Sequence, residues 1–198
     1  MRTIALCLST FTLILCLTAC GRTQKIADPP ATTIANPTAI STQGEIKMED
    51  IWSLTDKTDF VIAMYQHLNE KTQYGEDVSV LSEEERIFYI TQTLEMEVNN
   101  GGFNQFFFNS GGNFSNELVE AFTAIGAEAT AAICQKAIAA YGCEIPTDWF
   151  ARQDMMEKLA SDEIDEIHWE CDEAFYAYKD NLDELNYNFV MNHKEQFT

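Results

Sequence analysis

Basic residues are scarce in this chain: twelve Lys and Arg stand against thirty-two Asp and Glu, for a formal net charge of -20. A surface of that sign repels nucleic acid and anionic headgroups and favours cationic partners, so no direct nucleic-acid binding is expected. Catalytic signatures are missing too. No P-loop, GxSxG, HExxH or CxxC occurs, and His67, His168 and His193 are scattered along the chain. His168, Cys171 and Asp172 share a helix face at i, i+3, i+4, but one such triplet without a second ligand cluster reads better as a buried or rim histidine than as a metal site. The sequence therefore predicts no catalytic residue, no metal and no cofactor. Period-2, β-branched runs of the kind strands need are absent, and so is any internal repeat of roughly 20–50 residues. What is present is a chain that is 46% hydrophobic with thirteen Phe. A disordered acidic protein would lack those aromatics, so the composition predicts a folded domain with an acidic exterior.

The one long apolar run lies at the start. Arg2 supplies a short positive segment, and Ile4 to Leu17 form an apolar stretch too short to span a bilayer. The run ends in Leu17-Thr18-Ala19-Cys20 followed by Gly21. That tetrapeptide resembles the lipobox of bacterial lipoproteins. The resemblance implies cleavage before Cys20, lipid on its thiol, and acylation of the new amino terminus, which together anchor a protein stably to a membrane. In Gram-negative lipoproteins a glycine rather than an aspartate after the cysteine resembles the pattern sent on to the outer membrane. Removing residues 1–19 takes away Arg2 and no acid, which makes the mature chain one unit more negative. Of its cysteines, Cys134, Cys143 and Cys171 then remain beside the lipidated Cys20. Three thiols leave at least one unpaired; a Cys134–Cys143 bond is compatible with export but is not fixed by spacing.

Residues 20–47 carry Pro29, Pro30 and Pro37 without apolar periodicity and read as a lipidated tether. A flexible coil of that length spans on the order of 30 Å. From 48 to 198 the pattern predicts one all-α domain of about six to seven helices. Ile51, Leu54, Thr58, Val61, Ile62, Tyr65 and Leu68 place a stripe on a first helix. Ser82 and Glu85 form a capping box for a second, which buries Ile87, Ile90, Leu94 and Val98. Asn99-Asn100-Gly101-Gly102 breaks it before a short aromatic helix, Phe103 to Asn109. Ser115 is predicted to cap a segment with Leu118, Val119, Phe122 and Ile125 inward. An alanine-rich helix runs from Ala127 to Tyr141, and two more cover about Asp162 to Lys179 and Asn181 to Gln196.

The string Glu97-Val98-Asn99-Asn100-Gly101-Gly102-Phe103-Asn104-Gln105-Phe106-Phe107-Phe108-Asn109, with Leu81 to Arg86 before it and Ala124-Ile125-Gly126-Ala127 after it, is long and unusual. It resembles the C-terminal domain of the bacterial DNA-mimic protein family of about nineteen kilodaltons. The resemblance implies an all-α fold, homodimerisation and, for the founding member, an acidic surface that imitates duplex DNA; fold does not by itself transfer that activity. By its own chemistry the motif reads as structural. Phe103, Phe106 and Phe107 share one face, Gly101 and Gly102 provide turn geometry, and Asn99, Asn100 and Asn109 are placed to satisfy helix ends. The competing reading is a recognition patch built from Asn100, Asn104, Gln105 and Asn109.

Acid is concentrated late: twelve Asp and Glu lie between Asp154 and Glu184, opposed only by Lys158 and Lys179. On the helix from Asp162, an inward stripe of Ile164, Ile167, Cys171, Phe175 and Tyr178 leaves Asp162, Glu166, Glu170 and Glu173 in one outward row, with Asp165, Trp169 and Asp172 beside it. Carboxylates at i, i+4 lie ~6 Å apart, so two such rows approach a phosphate track without reaching its density. These six acids, Asp162, Asp165, Glu166, Glu170, Asp172 and Glu173, are the candidate contact residues for a basic protein surface. The alternative is a structural envelope lipoprotein whose acids serve only solubility.

Overall fold

The computed structural model describes residues 47–198; the expected export signal, Cys20 and all but the last residue of the expected tether lie outside that range. The described residues form eight α-helices, α1 Met48–Ser53, α2 Lys57–Lys71, α3 Glu83–Phe108, α4 Leu118–Ala124, α5 Glu128–Ala139, α6 Trp149–Leu159, α7 Asp162–Tyr176 and α8 Leu182–Asn192, with three short 3-10 turns and no strand. The all-α expectation holds. None of these helices is long and apolar enough to cross a membrane.

α3 is the central element, touched by α2, α4, α6, α7 and α8. It buries the expected Ile90, Leu94 and Val98, but also Phe88, Tyr89, Thr91 and Thr93. A helix enclosed on several sides has no solvent face for most of its length, so a single-stripe reading underestimates its burial. Its start follows the predicted capping box: Glu85 N–H donates to Ser82 Oγ at 3.1 Å, and Ser82 N–H to Glu85 Oε2 at 2.9 Å. The buried Glu85 carboxylate does more than cap. It also accepts from Lys71 Nζ at 2.7 Å and from Thr198 N–H at 3.0 Å. That second contact anchors the segment in which Phe197 lays its ring edge against Phe88.

Several boundaries differ from the expectation. The first helix is two helices, because Asp56 accepts from Asp59 N–H and starts α2 afresh. The restart shifts the buried face to Phe60, Val61, Met64 and Leu68, while Ile62, expected inward, is exposed. Ser115 caps no helix; its hydroxyl donates back to Gly112 O at 2.7 Å. α6 was not expected at all. Its one buried residue is a charged one, Arg152, so it carries no apolar stripe for a pattern to find.

Candidate partner-binding face and the clamp that orients it

The chain turns sharply inside α3. Gly101 is extended, at φ -168°, but Gly102 has φ 77° and ψ -178°, a combination essentially confined to glycine. The turn frees the Phe103 N–H from the helical ladder, and the N–H donates to Asp172 Oδ1 of α7 at 2.8 Å. A carboxylate at the start of the renewed helix also meets the positive end of its dipole. Burial raises the Asp172 carboxyl above its ordinary value, and the Phe103 bond works in the other direction. Two further bonds come from the end of α7 and just beyond it. Tyr176 OH donates to Val98 O at 2.8 Å, and Asn99 Nδ2 donates to Tyr178 OH at 2.6 Å. Tyr178 OH in turn donates to Glu95 Oε1 at 3.0 Å; burial, with the acid beside it, pushes that phenol up to about 12. Asp172, Tyr176 and Tyr178 thus clamp the kink from outside α3.

A second tie spans the kink from within. The buried Glu97 carboxylate accepts Gln105 Nε2 at 2.7 Å and Asn109 Nδ2 at 2.9 Å. The motif's amides act differently from the expectation. Asn99 and Asn109 bond side chains distant in sequence rather than local backbone, and Asn100 is exposed. Asn104 reaches Asp165 and His168. Phe103, Phe106 and Phe107 are fully buried, as expected.

Past the kink the backbone is gripped by Arg152 of α6, which is 0% exposed. Nε donates to Phe107 O at 2.8 Å; Nη1 donates to Pro146 O and Thr147 O at 2.9 and 3.1 Å; Nη2 donates to Asn109 O and Asn113 Oδ1 at 3.0 and 2.9 Å. All five guanidinium N–H groups are satisfied, each by a neutral oxygen. Burial lowers its pKa, with the Asp148 charge opposing. Gly112 makes room for it: a Cβ there would sit 2.5 Å from Arg152 Nε.

α7 turns His168, Cys171 and Phe175 inward, with Ile164 and Ile167 half-buried. Tyr178, expected in that stripe, lies past the helix end and is exposed. Of the six acids expected outward, Asp162, Asp165, Glu166 and Glu173 are exposed. Glu170 is exposed too, but pairs with Lys136 at 2.6 Å. Asp172 is the exception, half-buried and committed to Phe103. The sequence placed it outward because spacing along one helix does not register what a neighbouring helix offers.

Within the acidic face Trp169 is 61% exposed. On a helix its neighbours at i-4, i-3 and i+4 are Asp165, Glu166 and Glu173, so carboxylates flank an open indole. Another exposed ring, Trp149, has the exposed Phe150 and Phe108 rings beside it, their centroids 4.9 and 6.3 Å away respectively.

His168 is fully buried between the Phe107 and Tyr141 rings. Its Nε2 lies 3.0 Å from Ala137 O and its Nδ1 2.6 Å from Asn104 Oδ1. Among the described residues no group of three or more His, Cys, Asp or Glu could hold a metal ion. Burial lowers the imidazole pKa below its ordinary 6.5, against the hydrogen bond to Ala137 and the charges of Asp172 and Asp165. The folded state therefore prefers the neutral ring more than the unfolded chain does. That contribution is intact above pH 6.5 and is lost as pH falls through the lower folded value. A series of urea midpoints from pH 8 to 5 should show the loss, and His168→Gln should remove that part of the slope. Identical pH dependence in both proteins would rule the assignment out.

The fold and this face define an acidic, all-α domain. Residues 79–193 match the family described as DMP19-like protein, more than half the chain, and the chain belongs to that family. The match runs from just before α3 through α8, so it contains both the clamped kink and α7. This agrees with the resemblance to the DNA-mimic family carried by the Glu97–Asn109 string. Neither the curated proteins nor the solved structures contain a significant match.

Proposed function

We propose that this protein is an exported lipoprotein, tethered through lipid on Cys20, whose α7 face binds a basic protein surface without catalysis. Trp169 carries the reading. A large indole left open to water, with carboxylates at helical spacing beside it, resembles the anchor of a recognition surface, because a partner Lys or Arg gains both charge complementarity and cation–π contact there. An acidic face used only for solubility needs no exposed tryptophan at its centre. Membership of the DMP19-like family supports a DNA-mimic type of surface. Export argues for a basic envelope protein or a basic toxin as its target rather than a cytoplasmic transcription factor.

The test is recovery of partners by the chain from envelope extracts, at low and high salt. Basic partners whose recovery falls with salt are expected. Trp169→Ala should weaken a recovered complex by about 2 kcal/mol, or roughly 30-fold in Kd. Glu166→Lys combined with Glu173→Lys should abolish capture at low salt while leaving the helical circular-dichroism signal unchanged. Partners that are not basic, or capture that survives both changes, would favour the purely structural alternative.

A further inference from the structure

Two thiols take no part in the clamp, and the geometry brings them together. α5 and α7 run antiparallel. Ala137 O meets His168 Nε2 at 3.0 Å, Lys136 Nζ meets Glu170 Oε2 at 2.6 Å, and Thr130 N–H donates at 2.8 Å to Asp180, which follows α7. Three residues back from Ala137 along α5 is Cys134; three forward from His168 along α7 is Cys171. In an antiparallel pair those steps travel the same way, one turn along the same two faces, so the cysteines oppose each other. Both are buried. The buried neighbours of Cys134 at i-3 and i+3 on α5, Ala131 and Ala137, are small. Their nearness also registers electrostatically, since Cys171 contributes to raising the Cys134 thiol, after burial as the larger cause. Cys143, the partner that sequence spacing left open for Cys134, is instead exposed, with its Sγ 3.6 Å from Met155 Sδ on α6.

We propose that Cys134 and Cys171, held as free thiols in this structure, form a disulfide that ties α5 to α7 in the exported protein. The proposal rests on the export reading only for its oxidising compartment. The chemistry is thiol–disulfide exchange with a soluble or protein disulfide. One thiolate attacks that disulfide and releases a thiol; the second thiolate then displaces the mixed disulfide and releases another. The chain loses two protons and two electrons, and the external disulfide is reduced to two thiols. Burial holds both thiols up, so thiolate is scarce once α7 has docked, and the bond forms as the chain folds. Its product fastens the helix that carries Trp169 to the body of the domain.

The test has two arms. In the first, the full chain is produced with its own leader in a bacterium, the envelope fraction is denatured and alkylated without reductant, and its peptides are mapped. In the second, full-length Cys143→Ser is unfolded and refolded in reduced and oxidised glutathione. The expected result in both is one peptide pair joined through Cys134 and Cys171, with a thermal midpoint raised by roughly 5–10 °C over the reduced protein. The bond in the refolded arm alone leaves the pairing standing and overturns the export reading. Alkylated, free Cys134 and Cys171 in both arms, or cross-linked dimers in their place, would overturn the pairing itself.

Discussion

Arg152→Met is expected to destabilise the domain by about 3–4 kcal/mol, lowering its thermal midpoint by roughly 10 °C. The methionine keeps an apolar stem but removes all five donors at once. Phe107 O, Asn109 O, Pro146 O and Thr147 O, with the Asn113 side chain, then lose their partner. An unsatisfied buried acceptor costs about 1–3 kcal/mol, although water reaching the outer members of the group limits the sum. Removing a buried charge that no carboxylate neutralises acts in the opposite direction. The deficit in hydrogen bonding wins because five acceptors lose their donor at once, and the two other α6 donors, Trp149 Nε1 and Gln153 Nε2, reach only Phe108 O. Arg152→Lys should recover little, since an ammonium has three donors and no planar fork. Urea and thermal midpoints decide the matter; a Met variant melting within 2 °C of the parent would show that the cluster is dispensable.

Gly102→Ala should cost a similar amount, roughly 3 kcal/mol, through two separate effects. Its φ of 77° with ψ of -178° lies where non-glycine residues bear about 1–3 kcal/mol of strain. The added Cβ would also sit 2.8 Å from Asp172 Cγ, displacing the carboxylate that accepts the Phe103 N–H. A double-mutant cycle separates the two. Asp172→Ala removes the obstruction together with the hydrogen bond, so Gly102→Ala/Asp172→Ala should be less damaging than the sum of the singles. Strict additivity would mean that the kink and α7 are not coupled. Gly101→Ala should be milder, because its backbone is extended and the nearest obstruction is the side chain of Gln105. Because Asp172, Tyr176 and Tyr178 clamp this kink, Gly102→Ala also loosens the helix that presents Trp169. Partner binding should therefore weaken in the Gly102 variant although no contact residue has changed.

Helix content, the capping box at Ser82, the break at Gly101–Gly102 and the burial of Phe103, Phe106 and Phe107 were legible because each is a local matter of spacing and backbone chemistry. The fresh start at Asp56 was locally encoded too, but the apolar spacing of Ile51 to Leu68 concealed it. α6 escaped for a different reason. Periodicity detects helices that bury apolar side chains, whereas α6 docks through an arginine whose acceptors are backbone oxygens up to 45 residues away.

The acidic face divides along the same line. Charge, the acidic concentration after Asp154 and the outward positions of Asp162, Asp165, Glu166 and Glu173 follow from composition and the helical repeat, so the chain alone determined them. Which of the carboxylates remain free for a partner was decided only in three dimensions. Asp172 is withdrawn by the N–H of Phe103, 69 residues earlier, which is a free donor because Gly102 breaks α3, and Glu170 is matched by Lys136 from another helix. Likewise, the three late cysteines were evident from the start, while the opposition of Cys134 and Cys171 emerged only from the antiparallel docking of α5 and α7. A helical repeat fixes the directions in which side chains leave their own helix; what each one meets depends on partners that only the packed fold brings within a few ångströms.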